Sequence, residues 1–263
     1  MPNRPRWVES PVIDGIKNYE LIGWHTYGKL VEQYLNLSAY VWRGQRCDDW
    51  KLVPTLDREI PKVAFGRRGN VAENHLGAFR YATRGRRGPN PPELGENDMW
   101  ALGQHHGLAT PLLDWTSSPF AAAFFAFMNE GRPQTPRRAV YALHRTAVEL
   151  RSAQIRTEHT RANTPGRAPV VEFVTPLSND NPRLVSQGGL FTRAPSGIDI
   201  ESWVRSSFKG QSDAYCIKIT VPDGNRHDCL RSLNRMNINH VTLFPDLYGA
   251  AKFCNTSLVV DNY

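Results

Sequence analysis

The run Phe120-Ala-Ala-Ala-Phe-Phe-Ala-Phe-Met128 is the longest apolar stretch in the chain and limits what the rest can become. At nine residues it falls well short of the ~20 that a membrane-crossing helix needs, so it is read as part of a folded core. Ser118-Pro119 directly upstream marks a helix start. The Ser side chain can accept from a free backbone N–H, and Pro sits where its missing N–H costs nothing. The chain has 263 residues, 40% hydrophobic and 22% charged. That is enough for one large domain or two small ones, and it excludes a disordered tail. Met1–Trp7 holds no apolar h-region, so the expectation is a cytoplasmic protein with no membrane partner.

Apolar spacing predicts one or two amphipathic helices over 16–36 and a buried strand at Tyr40-Val41-Trp42. Val71, His75, Leu76 and Phe79 recur at helical spacing, as do Met99, Trp100, Leu102 and His106, where the helix should end at Gly107. Thr83–Pro92 is rich in Arg, Gly and Pro and cannot continue the helix before it. Strands are expected at Val140–Leu143, Val170–Val174, Arg183–Thr192 and Ala214–Val221. Thr146–Ala168 reads as an exposed polar excursion, and Asp223 as the cap of a helix running to Met236. Ile238–Phe253 is read as beginning with a strand that Pro245-Asp246 ends. Helices and strands mix without regular alternation or repeat, so the expected fold is one α+β domain over 1–263. Its helical part would span about 15–110 and its mixed sheet about 111–253.

Net charge is +7, carried by 25 Arg and 7 Lys. Arg80, Arg84, Arg86 and Arg87 lie close together with no acid between them, and Gly131–Arg167 holds eight Arg against two Glu. The planar guanidinium fork matches phosphate in a way that Lys does not, which points to a polyanionic partner such as nucleic acid. Solvated loops are the plainer alternative. Cys47, Cys216, Cys229 and Cys254 form no C-x-x-C pair, so reduced thiols and no metal site are expected.

Two segments concentrate possible chemistry. Arg43-Gly44-Gln45 follows the buried strand, where an Arg needs a partner and a Gly admits a close approach. A ligand phosphate or carboxamide would suit it, and so would a salt bridge within the fold. Gln104–Ser118 packs His105, His106, Thr110, Asp114, Thr116, Ser117 and Ser118 between apolar elements. Ser118 is explained as an N-cap, and Asp114 is either functional or the partner of Arg43. Neighbouring His105 and His106 do not share a helix face, which argues against a metal.

Four motifs, Trp42-Arg43-Gly44-Gln45, His106–Thr116, Gln187-Gly188-Gly189-Leu190-Phe191-Thr192 and Leu243–Gly249, together resemble the FRG domain family in order. The resemblance spans roughly Tyr19 to Phe253. Arg43-Gly44 and Trp115-Thr116-Ser117-Ser118 also resemble the first two motifs of Arg-Ser-Glu ADP-ribosyltransferases. That likeness implies a split β-sheet core with flanking helices, and NAD as substrate. NAD would lie against Arg43, Gly44, Gln45, His106, Thr116 and Ser117. The third motif would fall on Ser186–Gly189, where those transferases carry Glu and this chain has Gln187. A neutral amide cannot stabilise cationic charge as a carboxylate does. Asp114, then Asp246, then Glu172 are the candidate replacements, giving Arg43, Asp114, Thr116, Gln187 and Asp246 as the catalytic set. The expected activity is ADP-ribosyl transfer without metal. RNA or single-stranded DNA is the preferred target, held by Arg80, Arg84, Arg86 and Arg87. A protein target, NAD hydrolysis and a non-catalytic nucleic-acid-binding module are the alternatives. The transferase likeness also brings a toxin or antiphage role and an antitoxin-like inhibitory partner by association.

Overall fold

The computed structural model describes residues 6–35, 39–63, 70–176 and 182–263. The chain begins with β1 (Trp7–Glu9), β2 (Ile16–Leu21), α1 (Tyr27–Leu35) and β3 (Tyr40–Gln45). Three helices follow: α2 (Thr55–Glu59), α3 (Val71–Ala82) and α4 (Glu96–His105). Next come β4 (Leu112–Thr116), α5 (Pro119–Phe127), β5 (Arg137–His144), α6 (Arg145–Arg161) and β6 (Glu172–Val174). The chain continues with α7 (Pro182–Ser186), β7 (Gly189–Arg193), α8 (Ile200–Ser207) and β8 (Cys216–Pro222). It closes with α9 (Arg226–Arg235), α10 (His240–Leu243) and α11 (Leu247–Val259). The strands form one mixed sheet, ordered β1-β2-β8-β5-β3-β4-β7-β6, and the fold is α+β. No helix among the described residues is long and apolar enough to cross a membrane.

The apolar run becomes α5, with the Ser118 side chain accepting from the Ala121 N–H at its start. A helix apolar on every side must be buried all round, and α5 lies in the main core with Trp42, Val140, Ile217 and Leu233. Gly44 permits this: a Cβ there would sit 1.9 Å from the Ala122 carbonyl oxygen and 2.6 Å from the Ala126 nitrogen. The helix therefore presses directly on β3. Its C-terminal carbonyls are buried too, and two arginines meet them. Arg138, 1% exposed, donates to the carbonyls of Ala126 and Asn129, and Arg226 to those of Phe127, Met128 and Asn129. Both cations also suit the negative end of the helix dipole. On the opposite face of the sheet, Val41, Leu113, Tyr141 and Leu143 pack with Trp203 and Val204 of α8. A third cluster joins Leu76, Met99 and Trp100 to Leu112 and Phe191, seating α3 and α4 on the β4–β7 half.

The structure corrects six readings of the sequence. Residues 16–21 are β2, not helix: Tyr19 and Leu21 alternate into one core, and the strand runs parallel to β8. Asn36 lies outside the described residues. The first part of the chain is therefore no helical unit, because β1, β2 and β3 belong to the common sheet. The polar stretch after 145 is the helix α6, which buries Val148 and Ser152 and carries the ion pairs Arg145–Glu149 and Arg151–Glu158. Pairing by charge leaves no apolar stripe to read. The tail holds helices where a strand was expected. A capping box at Asn239 starts α10, and Asp246 caps α11. Asp223 bonds Arg138 through its side chain at 2.6 Å and makes no side-chain cap on the turn before α9. The 183–192 stretch divides into α7 and β7. The four cysteines are free thiols, three of them buried.

Two measurements test this packing. Gly44→Ala should cost about 3 kcal/mol in urea unfolding, the upper end of the usual overpacking range, because the clash is with backbone. His240 is buried between Phe124 and Phe244, and burial, with Lys252 and Arg226 nearby, lowers its pKa from 6.5 to about 4 against a weak opposing pull from Glu130. An unfolded chain therefore takes up this proton first as pH falls. The contribution is full above pH 6.5 and is lost toward pH 4. His240→Leu should flatten that part of the pH–stability curve.

Candidate functional site

The sheet is pinched at its centre. β3 pairs with β5 over its full length and β4 with β7 over its full length, but β3 and β4 share the single register pair Trp42↔Thr116. Beyond it the strands part. Arg43 spans the gap: its Nη1 donates to the Asp114 main-chain oxygen at 2.7 Å and lies 3.6 Å from Asp114 Oδ2. A side chain thus makes a bond that the ladder would otherwise make. Burial lowers the Arg43 pKa and the Asp114 charge opposes that shift. Arg43 Nε is buried without a hydrogen-bond partner, whereas the Asp114 side chain is 64% exposed. The guanidinium is sunk and the carboxylate stands at the mouth.

The carboxylate is held from a second side. Gln104 Nε2 donates to Asp114 Oδ1 at 2.7 Å, and the Thr110 hydroxyl donates to Gln104 Oε1. The turn between α4 and β4 makes this possible. Gly107, at φ +86°, donates to the Gln104 carbonyl, while Leu108 donates to that of Gly103. This left-handed cap folds the chain back sharply, bringing Gln104 opposite Asp114. Gly107, one of the resemblance positions, is therefore a helix-ending residue.

A cavity of about 300 Å³ opens at the pinch, with Arg43, Asp114, Thr116 and Gln187 on its polar side and Phe125, Met128 and Phe244 on its apolar side. A neighbouring cavity of about 170 Å³ shares Asp114, Trp115, Gln187 and Phe244 with it and adds Gln104, His105 and Arg183. Asp114 is the only carboxylate among the described residues lining the two. Burial lowers the His105 pKa, with His106 and Arg183 adding to it and Asp246 opposing, so the ring is a neutral base near pH 7.

Arg43, Asp114, Thr116 and Gln187 thus meet in one cleft, drawn from β3, β4 and the turn before β7. Their states differ. Thr116 is 1% exposed, its hydroxyl donating to the Gln187 carbonyl at 2.6 Å and accepting from the Ser118 N–H. It shapes the cleft and has no hydrogen left to offer. Gln187 Nε2 donates to the Leu243 carbonyl at 3.0 Å. Ser117 is exposed beside Gly188, whose Cβ would lie 2.6 Å from Ser117 Oγ. Gly44 faces α5, and Gln45 is buried near the Lys51 carbonyl, 3.5 Å from its Nε2. His106 lies apart: it lines a different cavity with Arg86 and Arg87, and His105 takes the position in the cleft. Asp246 caps α11 and pairs with Arg183, outside the cleft lining. Its pKa is lowered, first by the Gly249 N–H and then by Arg183. Glu172 sits on the edge strand β6, paired with Arg156 and Arg167. Arg80, Arg84 and Arg86 are exposed at the end of α3 and the turn after it, with Arg87 half-buried beside them. Gln104, Arg183 and Phe244 were missed as site residues, and His105 was singled out with His106 but given no role. Gln104 and Phe244 stand inside the quoted segments, but only the fold shows which way they face.

Residues 38–135 match the family model described as FRG domain. That stretch contains the Trp42–Gln45 and His106–Thr116 motifs and ends before the Gln187 and Leu243 motifs. No curated protein and no solved structure matches the chain.

Stability separates framework from site. Thr116→Val should cost about 1–3 kcal/mol in chemical denaturation, because it strands a buried carbonyl and N–H, while Thr116→Ser should recover most of the loss. Asp114→Asn, at an exposed carboxylate, should change stability by no more than about 0.5 kcal/mol.

Proposed function

We propose that the chain, whose FRG-domain match over residues 38–135 brings two motifs to one cleft, binds NAD there and transfers ADP-ribose, releasing nicotinamide. The observation that carries the reading is the convergence of Arg43, Asp114 and Gln187 where the sheet parts. Arg43 lines the cleft with a guanidinium whose planar fork suits a phosphate or carboxamide. The apolar wall of Phe125, Met128 and Phe244 suits a flat ring.

The chemistry asks little of the protein beyond charge placement. The bond between ribose C1′ and the nicotinamide nitrogen breaks, and nicotinamide leaves neutral with the electron pair. Positive charge grows on the ribose. Asp114, locked by Gln104 and Arg43, supplies a preorganised anion for it, the role that Gln187 cannot fill. A nucleophile then bonds to C1′ and gives up its proton, for which His105 is a neutral base lining the adjoining cavity beside Asp114. Water as nucleophile gives NAD hydrolysis, and a hydroxyl or amine of a target gives transfer. Intracellular NAD places the reaction in the cytoplasm. An enzyme that consumes NAD needs restraint, so an inhibitory protein partner and a toxin or antiphage role belong to this reading.

The test is nicotinamide release from NAD by the purified protein. Asp114→Asn should lower it by about 10²–10³ with the fold intact. Arg43→Lys should keep only part of the activity, since a point charge replaces a planar fork. Full turnover in Asp114→Asn would count against the assignment.

A further inference from the structure

A second, larger opening beside the cleft belongs to another set of residues. A cavity of about 650 Å³ has Phe79 and Leu102 on its apolar side and Tyr81, Thr83, Arg86, Arg87 and His106 around it. Tyr81 is 70% exposed, and the Arg84 guanidinium lies 5.1 Å from its ring centroid. The sequence from Glu73 to Glu93 holds no acid between those two residues. Among the described residues, Arg80, Arg84, Arg86 and Arg87 form no ion pair, unlike most arginines of α6. Arg86 and Arg87 each give one N–H to a backbone carbonyl, of Ala82 and Pro92, which fixes the guanidinium and leaves its other donors outward.

We propose that this cavity binds single-stranded nucleic acid. A base stacks on Tyr81 and the adjoining phosphates meet Arg84, Arg86 and Arg87. Exposed aromatic faces beside unpaired cations are what single strands require, because bases in a duplex are already stacked. Charge complementarity and the absence of any carboxylate in the cluster favour a phosphate backbone over an acidic protein surface. The two cavities share a wall. His105 faces the cleft and His106, the next residue, faces this cavity, so the last turn of α4 separates them. A helix with its side chains is about 10–12 Å across, so a strand seated here can reach the cleft within a few nucleotides. The bound strand is then the acceptor: the bond between ribose C1′ and nicotinamide breaks, one of the strand's hydroxyls or amines bonds to C1′, and its proton passes to His105. This second half rests on the NAD reading above; the binding half does not.

The test uses fluorescence anisotropy without NAD, with a labelled 12-nucleotide RNA of mixed sequence, the DNA of the same sequence, and the DNA duplex. The single strands should bind more tightly than the duplex, with affinity falling steeply as salt rises. Arg86→Ala with Arg87→Ala should lower the slope of log affinity against log salt by about 1.4, two phosphate contacts on a single strand. Tyr81→Ala should weaken binding roughly 5- to 100-fold while Tyr81→Phe keeps it. Salt-independent binding, variants that bind like the parent, duplex bound as well as single strand, or preference for poly-glutamate would each overturn the proposal. In the second arm, NAD labelled in its adenosine should mark the RNA or the DNA, whichever is the acceptor. The Arg86/Arg87 variant should lose that mark in step with its loss of strand affinity. Nicotinamide release with neither strand marked would overturn the acceptor half. Strand binding with no nicotinamide release in any condition would overturn the NAD reading and leave the binding site standing.

Discussion

The contact between α5 and β3 governs the rest of the structure. An all-apolar helix has no face to show to water, and its backbone ends must be satisfied inside the protein. Gly44 lets the helix lie on the strand, Ser118 meets its first turn, and Arg138 and Arg226 meet its last carbonyls. Two guanidinium groups are thereby buried side by side, and the Arg226 pKa is lowered, first by burial and then by the Arg138 charge. Asp223 on Arg138 and the converging carbonyls make the arrangement tenable. Part of the arginine excess is thus helix-end chemistry in the core.

The same contact explains where the cleft lies. β4 runs straight into α5 through Thr116 and Ser117, so one strand end is tied to the helix. β3 is pinned beneath that helix at Gly44, and the pair keeps only the Trp42–Thr116 register point. Arg43 reaches across the opening where regular pairing stops. Its two meanings, structural partner of Asp114 and ligand group, are therefore compatible. The bond to a main-chain oxygen positions the guanidinium, and Nε stays uncommitted.

Much of this was legible in the residues and much was not. Ser118-Pro119 and the apolar run identified α5 because capping and apolarity are local properties. The pairing of Arg43 with Asp114 was one of the readings left open, since both lay at strand ends. Residues 16–21 misled because Ile16 and Tyr19 fit a helical period, while the alternation that makes β2 needs β8, some two hundred residues on. In α6, ion pairs replace an apolar stripe, so periodicity had nothing to register. Within the densest segment, residue type announced a site without sorting its members. Gly107 ends a helix and Thr116 spends its hydroxyl on the framework, whereas Gln104 holds the exposed carboxylate; outside that segment, Asp246 caps a helix. Which neighbour of the His105–His106 pair faces the cleft depends on where α4 stops, a single-residue question that periodicity does not resolve.

That last turn of α4 is a party wall. Gln104 and His105 furnish one side and Leu102 and His106 the other, and the left-handed Gly107 locks them into a single rigid corner. A displacement of the corner by an occupant of one cavity is equally a displacement of the other cavity's lining. Any effect of one occupant on the other would have to pass through this one turn, and thermodynamic reciprocity fixes its terms: whatever one occupant does to the affinity of its neighbour, the neighbour returns by the same factor.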